Sequence, residues 1–160
     1  MQENKRHPAD PSAFGFEAPE DSPGFLLWQT TVTWQRLIKK ILDPYDISHA
    51  QFVTMAVVLW FEEHQEYPTQ IAIARLSKLD KMTVSKSLKK LVTLGYVRRE
   101  ESHQDTRAKW VHLTPQGKKL ASKLVPLVEK GDEAFFEALG QDEQKGLTRS
   151  LHKLVTLCSY

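Results

Sequence analysis

The chain has 160 residues, is 41% hydrophobic and carries a formal net charge of +2, which suits one globular domain able to bury a core without staples. Its single cysteine, Cys158, excludes a disulfide framework and fits a reducing, cytoplasmic setting. The most apolar run, residues 52–61, contains Thr54 and is followed by Glu62 and Glu63, well short of the roughly 20 residues that cross a bilayer.

Residues 1–22 hold Pro8, Pro11 and Pro19 among charged residues and never build the apolar core of a signal peptide, so they read as a flexible tail. Ser22-Pro23 opens a first helix in which Phe25, Trp28, Val32, Leu37, Ile38, Ile41 and Leu42 recur at helical spacing until Asp43-Pro44 stops it. Ser48 and Gln51 form the capping box of a second helix, where Phe52, Met55, Ala56, Leu59 and Trp60 follow at steps of three and four. Val53, Val57, Val58 and Phe61 fill its other sides, which predicts a helix buried nearly all round.

Thr69 caps a short third helix carrying Ile71, Ile73, Ala74 and Leu76, and Asp80 caps a fourth over residues 81–94, ended by Gly95. Two short helices joined by a tight turn make a helix-turn-helix candidate. Ala74, ten positions before the branched Val84, allows their close approach. Lys78 stands where such turns usually carry glycine, at a cost in strain if the site needs positive φ. Helical spacing gathers Val84, Leu88, Leu91 and Val92 on the core side of the fourth helix and Met82, Thr83, Lys86, Lys89, Lys90 and Thr93 on the other. Lysines and hydroxyls on the second helix of such a pair have the chemistry of a major-groove reader.

The charge is distributed accordingly. Residues 69–119 hold 12 Lys or Arg against 4 acids, a local excess of +8 that leaves −6 on the rest of the chain. That segregation points to a polyanion-binding surface rather than to charge spread for solubility. "YVRREES" and "KWVHL" then read as the strands of a hairpin around "HQDTRA". An arginine at such a tip is placed to enter a minor groove, with Arg107 as the probe and Asp105 as its brace. Thr114-Pro115 caps the next helix, striped with Leu120, Leu124, Leu127 and Val128 and holding Pro126 as a predicted kink. From Gln141 a last helix carries Leu147, Leu151, Leu154, Val155 and Cys158.

Residues 79–120, "LDKMTVSKSLKKLVTLGYVRREESHQDTRAKWVHLTPQGKKL", resemble the winged-helix core of the MarR family of bacterial transcription regulators. The resemblance rests on Thr-Val-Ser-Lys in the recognition helix, Leu-x-x-x-Gly-Tyr-Val leading into the wing, Asp-x-Arg at its tip and Leu-Thr-x-x-Gly opening the next helix. It implies a mainly α fold of the α+β type, with a winged-helix DNA-binding core over residues 48–114. It also implies dimerisation helices over 23–47 and 115–160, so that 23–160 form one domain. By resemblance Met82, Thr83, Ser85 and Lys86 face base edges, Lys89 and Lys90 phosphates, and Arg107 the minor groove; Thr69, Lys81, Arg99, Asp105 and Lys109 complete the expected DNA-binding set. The expected partners are double-stranded DNA, a second copy of the chain and a small, often aromatic effector. The protein expected is a homodimeric regulator, a repressor, on a pseudo-palindromic operator. Lys86 stands where many members carry arginine, which removes a bidentate fork.

Other chemistries find little support. There is no Gly-rich phosphate loop, no His-Glu-x-x-His and no nucleophile elbow, so no enzyme is expected. His7, His49, His64, His103, His112 and His152 form no close ligand pair, and neither metal nor cofactor is expected. Cys158 lacks a neighbour in sequence that would lower its pKa, so a structural or terminal thiol is favoured over a redox switch. An effector cleft would draw on Trp28, Trp34, Phe52 and Trp60, aromatics whose helical spacing equally suits simple core packing. The competing reading is a winged-helix protein-interaction module that does not read DNA; it calls for apolar anchors on the basic face, where only Met82 stands.

Overall fold

A computed structural model describes residues 12–101 and 109–157. It is mainly helical with one small antiparallel sheet. A 3-10 turn, Pro19–Asp21, precedes helix α1 (Pro23–Leu42); a second, Asp43–Tyr45, links α1 to α2 (His49–Glu63). There follow α3 (Gln70–Ser77), α4 (Lys81–Thr93), strands β1 (Val97–Glu101) and β2 (Lys109–Leu113), α5 (Pro115–Phe136) and α6 (Gln141–Leu157). The chain divides into two compact units, Met1–Trp34 and Gln35–Tyr160, with the boundary inside α1.

Local chemistry accounts for where the helices start. Ser48 Oγ accepts the amide of Gln51 at 3.2 Å while Gln51 Oε1 accepts that of Ser48 at 3.0 Å, the reciprocal box that the sequence predicts. Thr69, Asp80 and Thr114 each cap their helix with a side-chain oxygen. The helix started by Pro115 runs on across Pro126 to Phe136.

Helix α2 is the centre of the second unit and packs against α3, α4, α5 and β2. Its Met55 and Val58 are fully enclosed, as are Ile73 of α3, Val84, Leu88 and Leu91 of α4, and Leu124 of α5. Each such side chain stabilises the fold by about 1.5–3 kcal/mol relative to exposure.

Three expectations need correction. Helix α2 is not buried all round, because Trp60 is 48% exposed and Val53, Ala56, Val57 and Phe61 are only half-buried. In α4, Val92 is exposed instead of joining the core face, because at about 100° per residue it lies roughly 80° round the helix from Val84, at the edge of that face. Of the stripe assigned to α1, only Ile38 and Leu42 are buried; Phe25 and Trp28 are exposed. An apolar sequence period fixes which side chains share a face, but only the packed partners decide how much of it is covered.

The strands pair antiparallel from Val97↔Leu113 to Glu101↔Lys109. A third segment joins them, which the sequence reading missed: Val111 donates its amide to Pro68 O at 2.9 Å, and Thr69 bridges Trp110. The hairpin is thereby tied to the start of α3. It is also tied to α2, because the Leu113 amide donates to Glu62 Oε1 at 2.8 Å.

Candidate nucleic-acid interface

The α3–turn–α4 unit is built around two backbone devices. Lys78 ends α3 in the left-handed region, φ 59° and ψ 12°, so the position does require the conformation that glycine adopts most cheaply. Asp80 then starts α4: its Oδ1 accepts the Thr83 amide at 2.8 Å and its Oδ2 accepts the Thr83 hydroxyl at 2.5 Å. The hydroxyl bond, followed by that from the amide, holds the Asp80 carboxyl below its ordinary range.

With α4 anchored through Val84, Ser87, Leu88 and Leu91, its outer side is left to solvent. Lys81, Met82, Lys86, Lys89, Lys90 and Thr93 are exposed there, Met82 to 65% of its surface, while Thr83 and Ser85 are half-buried. Among the described residues, Lys86, Lys89 and Lys90 have no acidic partner. A row of uncompensated ammonium groups on a rigid helix attracts a polyanion without first having to break an ion pair.

The wing adds cations from a second element. Arg99 and Lys109 are exposed on β1 and β2, whereas the Arg98 guanidinium donates to Glu100 Oε2 at 2.8 Å. Thr69 is half-buried and its hydroxyl accepts the Ala72 amide at 3.3 Å. Asp105 and Arg107, the expected brace and probe, lie outside the described residues, as does Cys158.

Behind the wing lies a group that the sequence reading passed over. His112 is buried on β2, its ring 4.4 Å from that of Tyr67. Its Nε2 stands 3.3 Å from Glu100 Oε2 yet makes no hydrogen bond among the described residues. Burial, reinforced by the Arg98 guanidinium, pushes its pKa below 6.5 against the opposing pull of Glu100 and Glu62.

The aromatic set is dispersed among environments. Trp28, exposed, and Trp34, half-buried, belong to the first compact unit; Phe52, buried, and Trp60, exposed, belong to the second. The Trp60 indole stacks on His64 with centroids 4.1 Å apart. Among the described residues no group of three or more His, Cys, Asp or Glu is arranged to hold a metal ion. No helix among them is long and apolar enough to cross a membrane.

A capped helix-turn-helix with a basic outer face, flanked by a β-hairpin that supplies further cations, defines a winged-helix DNA-binding protein. Comparison with known proteins agrees. Residues 43–129 match the ArnR1-like, winged-helix domain, and the chain belongs to the MarR family of winged-helix transcriptional regulators, which are not enzymes. It is 38% identical over 128 residues to an uncharacterized HTH-type transcriptional regulator of Bacillus subtilis, YdcH, covering 80% of this chain and 87% of that one. It is 30% identical over 118 residues to the HTH-type transcriptional regulator MgrA of Staphylococcus aureus, covering 72% and 75%. Among solved structures, a cysteine-to-serine mutant of MarR from E. coli in complex with operator DNA aligns at TM-score 0.73 and 26% identity, covering 84% of this chain and 95% of that one. The chain is thus a DNA-binding transcriptional regulator.

Proposed function

We propose that two copies of this chain bind a pseudo-palindromic operator as a repressor, each inserting α4 into a major groove. In this reading residues 48–114 form the DNA-binding core, while residues 23–47 and 115–160 pair the subunits. The observation that carries it is the face of α4, where Lys86, Lys89 and Lys90 have no acidic partner among the described residues and stand beside Met82, Thr83 and Ser85. Lys89 and Lys90 neutralise phosphates, while Lys86 and the shorter Met82, Thr83 and Ser85 face base edges. Arg99 and Lys109 hold the wing against the backbone; Arg107 enters the minor groove with Asp105 as its brace. Thr69 and Lys81 add contacts at the starts of α3 and α4.

Helix α6 supports the pairing. It buries no residue within the single chain, and Leu151, Leu154, Val155 and Leu157 are exposed along it. A 17-residue helix gains most of its stability from packing an apolar face, and a second copy would cover the face that α6 leaves exposed. A two-fold pair sets the two recognition helices about 34–36 Å apart, one turn of the duplex. Release by a small aromatic ligand belongs to the same reading, with the exposed Trp60 indole as a stacking surface. Such a ligand acts only if it binds the DNA-incompetent form more tightly.

The test is fluorescence anisotropy across a salt series, with DNA from the protein's own upstream region and scrambled DNA of equal length. Selective binding to the first, with log affinity falling steeply in log salt, is expected. Charge reversal in Lys86→Glu should abolish the selectivity; a variant that still prefers the same DNA would remove α4 from the recognition surface.

A further inference from the structure

The reading face of α4 is not chemically uniform along its length. In the first turn Lys81 and Met82 are exposed, the latter a thioether without a hydrogen-bond donor, and beside them stands the half-buried Thr83, whose hydroxyl has one proton to give. That proton is already committed. An ionised carboxylate only accepts, so the 2.5 Å contact between Thr83 Oγ1 and Asp80 Oδ2 fixes the direction of donation from threonine to aspartate. The other carboxylate oxygen accepts the amide of the same residue at 2.8 Å, which holds the aspartate in place and leaves Thr83 little freedom to turn away.

We infer that Asp80 makes Thr83 an acceptor-only reader, so that the base facing it is selected against guanine. This rests on the proposed role of α4 as the recognition helix. With its proton engaged, Thr83 can offer DNA only oxygen lone pairs and a methyl group. The major-groove edge of guanine carries two acceptors, N7 and O6, and would meet the lone pairs acceptor to acceptor. Adenine N6 and cytosine N4 donate, and the thymine methyl packs against the threonine methyl, so these three bases are admitted. One turn further along, Lys86 supplies donors and no acceptor, so the preference reverses there. The specificity of the first turn is therefore set by a residue that need not touch a base. Asp80 is a positioning residue for Thr83.

The prediction is tested by selecting bound fragments from a pool of operators carrying every single-base change, with the full-length protein and two variants. Asp80→Asn keeps an oxygen to cap the helix and replaces the second acceptor by an amide donor, which releases the Thr83 proton to point outward. Thr83→Val keeps the branched shape and the methyl but loses the lone pairs. The wild type is expected to reject guanine at one base of each half-site. Asp80→Asn should raise the acceptance of guanine there by about tenfold, the scale of one hydrogen bond gained, with other positions unchanged. Thr83→Val should keep thymine and lose the preference for adenine or cytosine at that same base. An Asp80→Asn profile identical to that of the wild type, or a loss spread evenly over all positions in both variants, would overturn the inference. A wild type without base preference anywhere would instead defeat the underlying reading of α4.

Discussion

His112 combines three conditions that seldom coexist on a structurally neutral side chain: it is buried, its pKa is lowered from 6.5 by that burial, and it lacks a hydrogen bond at Nε2 among the described residues. Because burial lowers its pKa from 6.5, the folded protein binds a proton there less readily than the unfolded chain does. The sign follows directly. Its stabilising effect is complete above about pH 6.5 and is lost as the pH falls from there toward the lower folded-state value. His49 acts in the same direction, with desolvation the larger cause and the Asp132 carboxylate opposing it. Thermal melts should accordingly be flat above neutrality and decline below about pH 6.5. His112→Phe, which retains a ring against Tyr67, should make that decline shallower without abolishing it, since His49 remains. An undiminished slope in the variant would assign the acid sensitivity elsewhere. None of this was legible in the sequence, where His112 looked like one of six scattered histidines. Its burial depends on Tyr67 and the hairpin register, both of which are tertiary facts.

Between elements, the decisive joint links the end of α4 to the start of α5. Gly95 turns the chain at φ +76°, and its carbonyl accepts the Thr114 hydroxyl at 2.6 Å; the Thr114 amide donates to Tyr96 O at 3.0 Å. Gly117, one turn into α5, then lies against the same backbone, where an added Cβ would sit 1.9 Å from Tyr96 O and 2.7 Å from Tyr96 C. The obstacle is main chain on both sides and cannot be relieved by a rotamer change. Gly117→Ala is therefore expected to destabilise the protein by roughly 3 kcal/mol, at the upper end of overpacking costs, and to displace the wing. Denaturant titration checks the first part. Loss of DNA affinity beyond what the folded fraction explains checks the second. The motif Leu-Thr-x-x-Gly was visible in the sequence as part of a resemblance, and this close approach is its physical content. Caps, boundaries and the hairpin were legible for the same reason: each is determined by residues within a few positions of one another. The short pairing of Pro68 and Thr69 with β2 was not, because it joins segments about forty residues apart and its two residues carry no strand pattern. Likewise Thr83 reads as one more polar residue of the outer face until its bond to Asp80 is seen.

At the scale of the whole molecule, what must be explained is a chain whose last helix contributes nothing to the core that it follows. A groove of about 580 Å³ runs between α5 and α6, lined by Phe136, Leu147, Leu151 and Val155 with Asp132, Glu133 and His152 at its polar margin. Leu154 lies on the same helix, 54% exposed. If a second copy covers this surface, a carboxylate introduced there must lose its water without gaining a partner, at a cost far larger than the leucine contact it replaces. In the isolated subunit the same carboxylate stays in water and costs little. Leu154→Glu should thus leave the helical content of each subunit almost intact while converting the protein to a monomer at micromolar concentration in analytical ultracentrifugation. Losing the second recognition helix then removes the benefit of bivalent attachment, so affinity for the upstream DNA should fall by about a hundredfold or more. Binding to scrambled DNA, which rests on phosphate contacts made by one basic face, should weaken far less. A Leu154→Glu protein that remains dimeric would place the subunit contact away from the face of α6 that carries Leu154.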